Sequence, residues 1–126
     1  MDQFPSTRYR SPLDERTLLF AKRVITLAKA LPVNTVNHEL ISQVTRSGTS
    51  VGANYREAND ALSKKDFLHR LRITRKEAKE TMYWLDLIIH ANQSLKERIV
   101  PLREETRELI KILSSIIEKS KTISGN

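Results

Sequence analysis

The feature that most constrains this 126-residue chain is a run of Phe67, Leu71, Thr74, Ala78, Thr81, Leu85 and Ile88, which follow one another in alternating steps of four and three. Residues spaced this way share one side of an α-helix, whereas a strand would scatter them over both of its faces. Leu68, Met82 and Ile89 widen the stripe on one side, and Trp84 and Leu87 widen it on the other. A long helix with a single apolar side must cover that side with other helices. The spacing predicts a helix over about 64–92, opened by a capping-box-like Ser63 and Asp66 and closed at Asn92-Gln93-Ser94.

Three further stretches carry the same period. Ser11-Pro12-Leu13-Asp14 has the chemistry of a helix start, and Leu18, Ala21, Val24, Ile25, Ala28 and Leu31 continue it over about 13–31, where Pro32 stops it. Asn34 to Asn37 supply turn and cap chemistry for a helix over about 37–61, with Leu40, Val44, Ser47, Val51, Asn54, Ala58 and Ala61 on its seam. Leu102, Thr106, Leu109, Leu113 and Ile116 set a last helix over about 99–120. Pro101 fits best in its first turn, and Ser94 with Glu97 offers an earlier start at the expense of a kink. Nothing alternates with period two. The predicted fold is therefore all-α, an antiparallel up-down-up-down four-helix bundle over about 13–120, with a flexible N-terminal arm over about 1–12 and a polar tail over about 121–126.

The middle of the second helix is unusual. Arg46 to Ala58, RSGTSVGANYREA, holds two of the chain's three glycines, Gly48 and Gly52, beside the hydroxyls of Ser47, Thr49 and Ser50. Each glycine weakens a helix by roughly 1 kcal/mol against alanine. Their smallness would let a neighbouring backbone approach closely, and the unbroken apolar phase across them favours a continuous helix over a break. A lone amide such as Asn54 on a small-residue seam can set register or oligomer state. Arg46 and Glu57 flank that seam, and with Tyr55 and Trp84 they make a candidate subunit interface.

Twenty-two Lys and Arg against 15 Asp and Glu give a net charge of +7, a balance that favours polyanionic partners. On the third helix, Lys65, His69, Arg72, Lys76, Lys79 and Tyr83 fall within about 40° of one line, nearly opposite the apolar seam. Four permanent cations in a row could track a phosphate backbone while Tyr83 stacks on a base. The competing reading is an ordinary solvated helix face, where Lys and Arg serve helicity and solubility.

Enzyme chemistry finds little support. His38, His69 and His90 are scattered, and Glu-x-x-His, which a di-iron bundle needs on two helices, is absent. Gly48 and Gly52 lack the strand and the Lys-Ser/Thr of a phosphate loop. The expectation is a non-enzymatic protein without cofactor or metal. The chain has no cysteine, which suits a reducing cytoplasm, and no apolar run long enough for a membrane span.

RSGTSVGANYREA followed by KKDFLHRLRITRKEAKETMYWLDLI closely resembles the four-helix-bundle proteins encoded within intervening sequences of bacterial 23S rRNA genes. The shared pattern is Arg46-Ser47 then small residues, Asn54, Glu57-Ala58, Asp66-Phe67, Glu77-Ala78, Glu80-Thr81 and Tyr83-Trp84-Leu85. The resemblance spans residues 46–88, with a compatible final helix. It implies a bundle assembled as a ring, a homopentamer, that associates with ribosomal RNA or other nucleic acid. It also gives Arg46, Asn54, Glu57, Glu77 and Trp84 structural or interfacial roles. A more distant similarity, to the accessory protein of diversity-generating retroelements, implies the alternative of an oligomeric adaptor that serves a reverse transcriptase.

Overall fold

Helix α1 spans Pro12–Ala30, α2 Thr35–Asn59, α3 Lys64–Ala91 and α4 Lys96–Ile123, with a single 3-10 turn at Gln93–Leu95 between the last two. The structure is a computed structural model that describes residues 12–123, and no strand occurs among the described residues. Residues 1–11 of the expected arm lie outside that range, and Pro12 is already the first residue of α1. Local chemistry sets the helix ends. The Asn34 side chain accepts from the Asn37 N–H at 2.8 Å, and Ser63 Oγ accepts from the Asp66 N–H at 3.0 Å, each satisfying a donor that the first turn leaves unpaired.

Cross-helix pairs establish the topology. Val24 meets Gly48 and Asp14 meets Asn59, so α1 and α2 run antiparallel. Asn37 pairs with Asn92 and Ser47 with Thr81, which sets α2 against α3 in the same sense. Arg75 with Ser114 and Asp86 with Arg103 do so for α3 and α4. The four helices therefore alternate up and down. Phe20, Val24, Val44, Val51, Leu71, Leu85, Ile88, Ile99, Leu109 and Leu113 fill the core between them.

The expected phase holds along α3, where Leu71, Thr74, Ala78, Thr81, Leu85 and Ile88 are all buried. It needs correction elsewhere. Of the expected α1 stripe Val24, Ala28 and the following Leu31 are buried, but Ile25 is exposed and Leu18 and Ala21 are half-buried, while Leu13, Thr17, Phe20 and Leu27 complete the buried face. Apolar residues wrap more than half of α1, so period alone does not choose the middle of its inner face, and polar Thr17 hides it. On α4 Ile117 is buried and Ile116 only half-buried. That helix also begins at Lys96, not near 99, and continues to Ile123 through part of the stretch expected as tail. Pro101 lies inside it, on an exposed position where solvent can reach the Glu97 carbonyl that the missing N–H leaves free.

Most buried polar groups are matched to partners, Trp84 Nε1 being an exception. Thr17, Thr74, Thr81 and Thr106 bond back to carbonyls one turn earlier in their own helices at 2.7–2.9 Å. At one end of the bundle Asn37 and Asn92 exchange reciprocal amide hydrogen bonds of 2.9 Å. The Asn37 amide also donates to Pro32 O and the Asn92 amide to Ile88 O, again at 2.9 Å. This closed pair ties the α1–α2 connection to the end of α3. Leaving one member of such a buried pair unsatisfied costs about 1–3 kcal/mol.

Helix α2 is continuous through its glycines, and the reason for them lies on α1. A Cβ at Gly48 would stand 2.8 Å from Val24 Cγ2 and 2.9 Å from Val24 Cγ1, and one at Gly52 would stand 3.1 Å from Thr17 Oγ1. Gly48→Ala is expected to lower stability by about 1–2 kcal/mol in urea unfolding, overpacking against the wholly buried Val24 outweighing the gain in helix propensity. Gly52→Ala is expected to cost less. Adding Val24→Ala to Gly48→Ala should cost less than the two single effects summed, and simple additivity would show that the residues do not press on each other.

Candidate nucleic-acid interface

Because Leu71, Thr74, Ala78, Thr81, Leu85 and Ile88 turn one side of α3 into the core, the opposite side must face outward. Lys65, His69, Arg72, Lys76 and Lys79 are all exposed there, and Tyr83 is 59% exposed at the end of the row. From Lys65 to Lys79 the row runs about 21 Å at 1.5 Å per residue. Arg72, Lys76, Lys79 and Tyr83 line a shallow groove of about 540 Å³, with Arg75, Glu80 and Trp84 along its edges.

Three acids on α3, Glu77, Glu80 and Asp86, are paired with arginines of the neighbouring helices. Arg46, reaching across from α2, bonds Glu80 at 2.6 Å and Glu77 at 3.3 Å. Arg103, reaching from α4, bonds Asp86. The Glu80 hydrogen bond holds the Arg46 guanidinium above its ordinary pKa against a smaller opposing desolvation, and the nearby charges of Glu77 and Glu80 add to it. Arg103 is held up in the same way, chiefly by Asp86. Lys65, Arg72, Lys76 and Lys79, by contrast, make no ion pair among the described residues. Three of the helix's carboxylates are thus paired from the flanks by two arginines, while the outward cations have no such partner.

The ring of Tyr83 stands edge-on to Trp84, with centroids 5.0 Å apart and planes at 70°. Trp84 is half-buried against the core, and its Nε1 is a buried donor with no partner. Among the other residues singled out in the sequence, Ser47 is buried and hydrogen-bonded to Thr81 at 2.9 Å. Gly48 and Gly52 are buried against α1, so the small-residue stretch serves packing within one chain. Asn54 does not occupy the buried seam, where Tyr55 sits instead. It is half-buried, and its Nδ2 donates to Ser50 O at 2.9 Å within its own helix. The register-setting amides are Asn37 and Asn92, far from Asn54. Arg46 spends its guanidinium inside the chain, and Glu57, about three turns farther along α2, is exposed.

Sequence reasoning did not find the Arg46–Glu77/Glu80 clamp. Its only signal was an arginine beside one seam and two glutamates three residues apart beside another, which become neighbours once the antiparallel register is known. Among the described residues no group of His, Asp and Glu is arranged to hold a metal, and no helix is long and apolar enough to cross a membrane.

Fold and surface together define a small, helical, basic bundle whose polar groups serve packing and surface charge. Within that class the chain belongs to the 23S rRNA-intervening sequence protein family, whose model matches residues 14–115. It is similar to a solved structure from Bacteroides thetaiotaomicron VPI-5482, a protein of unknown function from the S23 ribosomal protein family. The two share 40% identity with a TM-score of 0.74, over 83% of this chain and 97% of that one. Comparison with curated proteins finds no match. The Arg46 side chain is half-exposed, so Arg46→Ala is expected to cost no more than about 1 kcal/mol of stability by denaturant titration. A larger loss would assign the clamp a role in folding.

Proposed function

We propose that this protein is a non-enzymatic, homo-oligomeric bundle that binds nucleic acid, single-stranded RNA in particular, through the outer face of α3. The observation that carries this reading is the separation of charge on that helix. Glu77, Glu80 and Asp86 are paired with Arg46 and Arg103 from the neighbouring helices, and Lys65, Arg72, Lys76 and Lys79 form a row without ion pairs among the described residues, ending in exposed Tyr83. A linear row of cations with an aromatic at one end suits an extended strand whose phosphates take the charges and whose terminal base stacks on the ring. Membership of a family defined by rRNA intervening sequences makes RNA the natural polyanion. The homo-oligomer, a pentameric ring, rests on the resemblance described above, and size-exclusion light scattering tests it directly. A monomer at micromolar concentration would contradict it.

Replacing Lys65, Arg72, Lys76 and Lys79 together by Ala is expected to weaken binding of a single-stranded RNA by about tenfold or more. The wild-type slope of log affinity against log salt is expected near −3, from about −0.7 per phosphate contacted, and the variant slope should flatten. The chain's single tryptophan, Trp84, adjoins the groove, so RNA should quench its fluorescence in the wild type. Arg46→Ala should also weaken RNA binding a few-fold although it lies off the row, because it releases Glu77 and Glu80. Unchanged affinity in the quadruple variant would place any RNA site elsewhere.

A further inference from the structure

The seam between α1 and α4 is the least closely packed of the adjacent helix pairs, and no described residue fills it. A groove of about 290 Å³ opens there, floored by Leu27 and Leu102 and walled by Leu19. Leu27 and Leu102 are buried, whereas Leu19 is 58% exposed, an unusual position for a large apolar side chain beside a helix seam. Lys22, Arg23 and Arg98 rim the groove, no acidic residue lines it, and none of the three cations is in an ion pair among the described residues. Farther along the same seam Arg16 holds Glu105 through two hydrogen bonds of 2.7 and 2.9 Å, which clasp the helices together.

We infer that this groove is a docking site for an acidic amphipathic helix of a partner protein. A helix laid along two others presents an apolar residue every third or fourth position, and such a stripe meets Leu19, Leu27 and Leu102. Carboxylates beside the stripe then face Lys22, Arg23 and Arg98, supplying the charge complement the groove lacks. Nucleic acid suits it less well, because a leucine wall offers no aromatic platform for bases. The site lies on α1 and α4 and does not depend on the nucleic-acid reading of α3.

The probe is a fluorescein-labelled synthetic helix with Leu at the a and d positions of its heptads and Glu elsewhere, alongside a counterpart with Lys in place of Glu. Anisotropy titration of the full chain is expected to show saturable binding of the acidic helix and not of its counterpart. Leu19→Gln, and separately the pair Arg23→Glu and Arg98→Glu, should each weaken that binding by about tenfold or more. The charge-reversed pair should gain binding of the Lys helix. Both variants should keep the wild-type unfolding midpoint and RNA affinity, since the altered side chains line neither the core nor the α3 row. Several outcomes overturn the inference: no binding of the acidic helix, equal binding by the groove variants, or loss of binding on replacing Lys76 and Lys79. A fall in oligomer mass in Leu19→Gln also overturns it, because the groove would then be a contact between copies of this chain.

Discussion

The rotation of α3 about its own axis decides what the rest of this molecule can do, and α2 fixes it. Deep in the bundle the hydroxyls of Ser47 and Thr81 bond each other at 2.9 Å, between two seams that are mostly apolar. At the surface beside them Arg46 grips Glu80 and Glu77. At the bundle end Asn37 and Asn92 bond reciprocally. An amide buried without its partner costs about 1–3 kcal/mol, so the Asn37–Asn92 pair holds one register more strictly than aliphatic packing alone would. With α3 held in that rotation, Leu71, Leu85 and Ile88 enter the core and Lys65, Arg72, Lys76 and Lys79 face out.

The small residues of Arg46–Ala58 serve the same end from the other side of α2. Gly48 admits Val24 of α1 at a distance that a methyl group would not allow, and Gly52 admits Thr17 at one that a methyl group would make tight. Helix α2 is therefore pressed between α1 and α3, and its remaining polar side chains are satisfied locally. Thr49 bonds Thr45 O, Ser50 bonds Arg46 O and Asn54 bonds Ser50 O. A stretch that looks costly for an isolated helix becomes the close-packed centre of the bundle. The seam between α1 and α4 has no comparable device apart from the Arg16–Glu105 clasp, and it is there that the surface opens into a groove.

Much of this was legible in the sequence because it rests on periodicity. The α3 seam and the outward cation row both follow from one rotation of one long helix, and the structure places each of those residues on the expected side. Helix α1 was misread by about one position because its apolar residues nearly encircle it and the true centre includes Thr17. Asn54 was given a register role that belongs to Asn37 and Asn92. No local pattern distinguishes an amide that bonds its own helix from one that meets a partner 55 residues away. The pairing of Glu77, Glu80 and Asp86 was likewise hidden, since each acid finds its arginine on another helix. What the sequence conveyed was the phase of each helix. The register between helices, which turns a mixed-charge surface into a separated one, belongs to the assembled bundle.

The account stands or falls on whether the outward row of α3 is the surface that nucleic acid covers. Lysine acetylation footprinting with mass-spectrometric readout, with and without saturating single-stranded RNA, reads this residue by residue in whatever oligomer the protein forms. The account predicts protection of Lys65, Lys76 and Lys79, with Lys111 and Lys119 on α4 acetylated equally in both conditions. Protection confined to other lysines, or none at RNA concentrations that saturate binding, would contradict it.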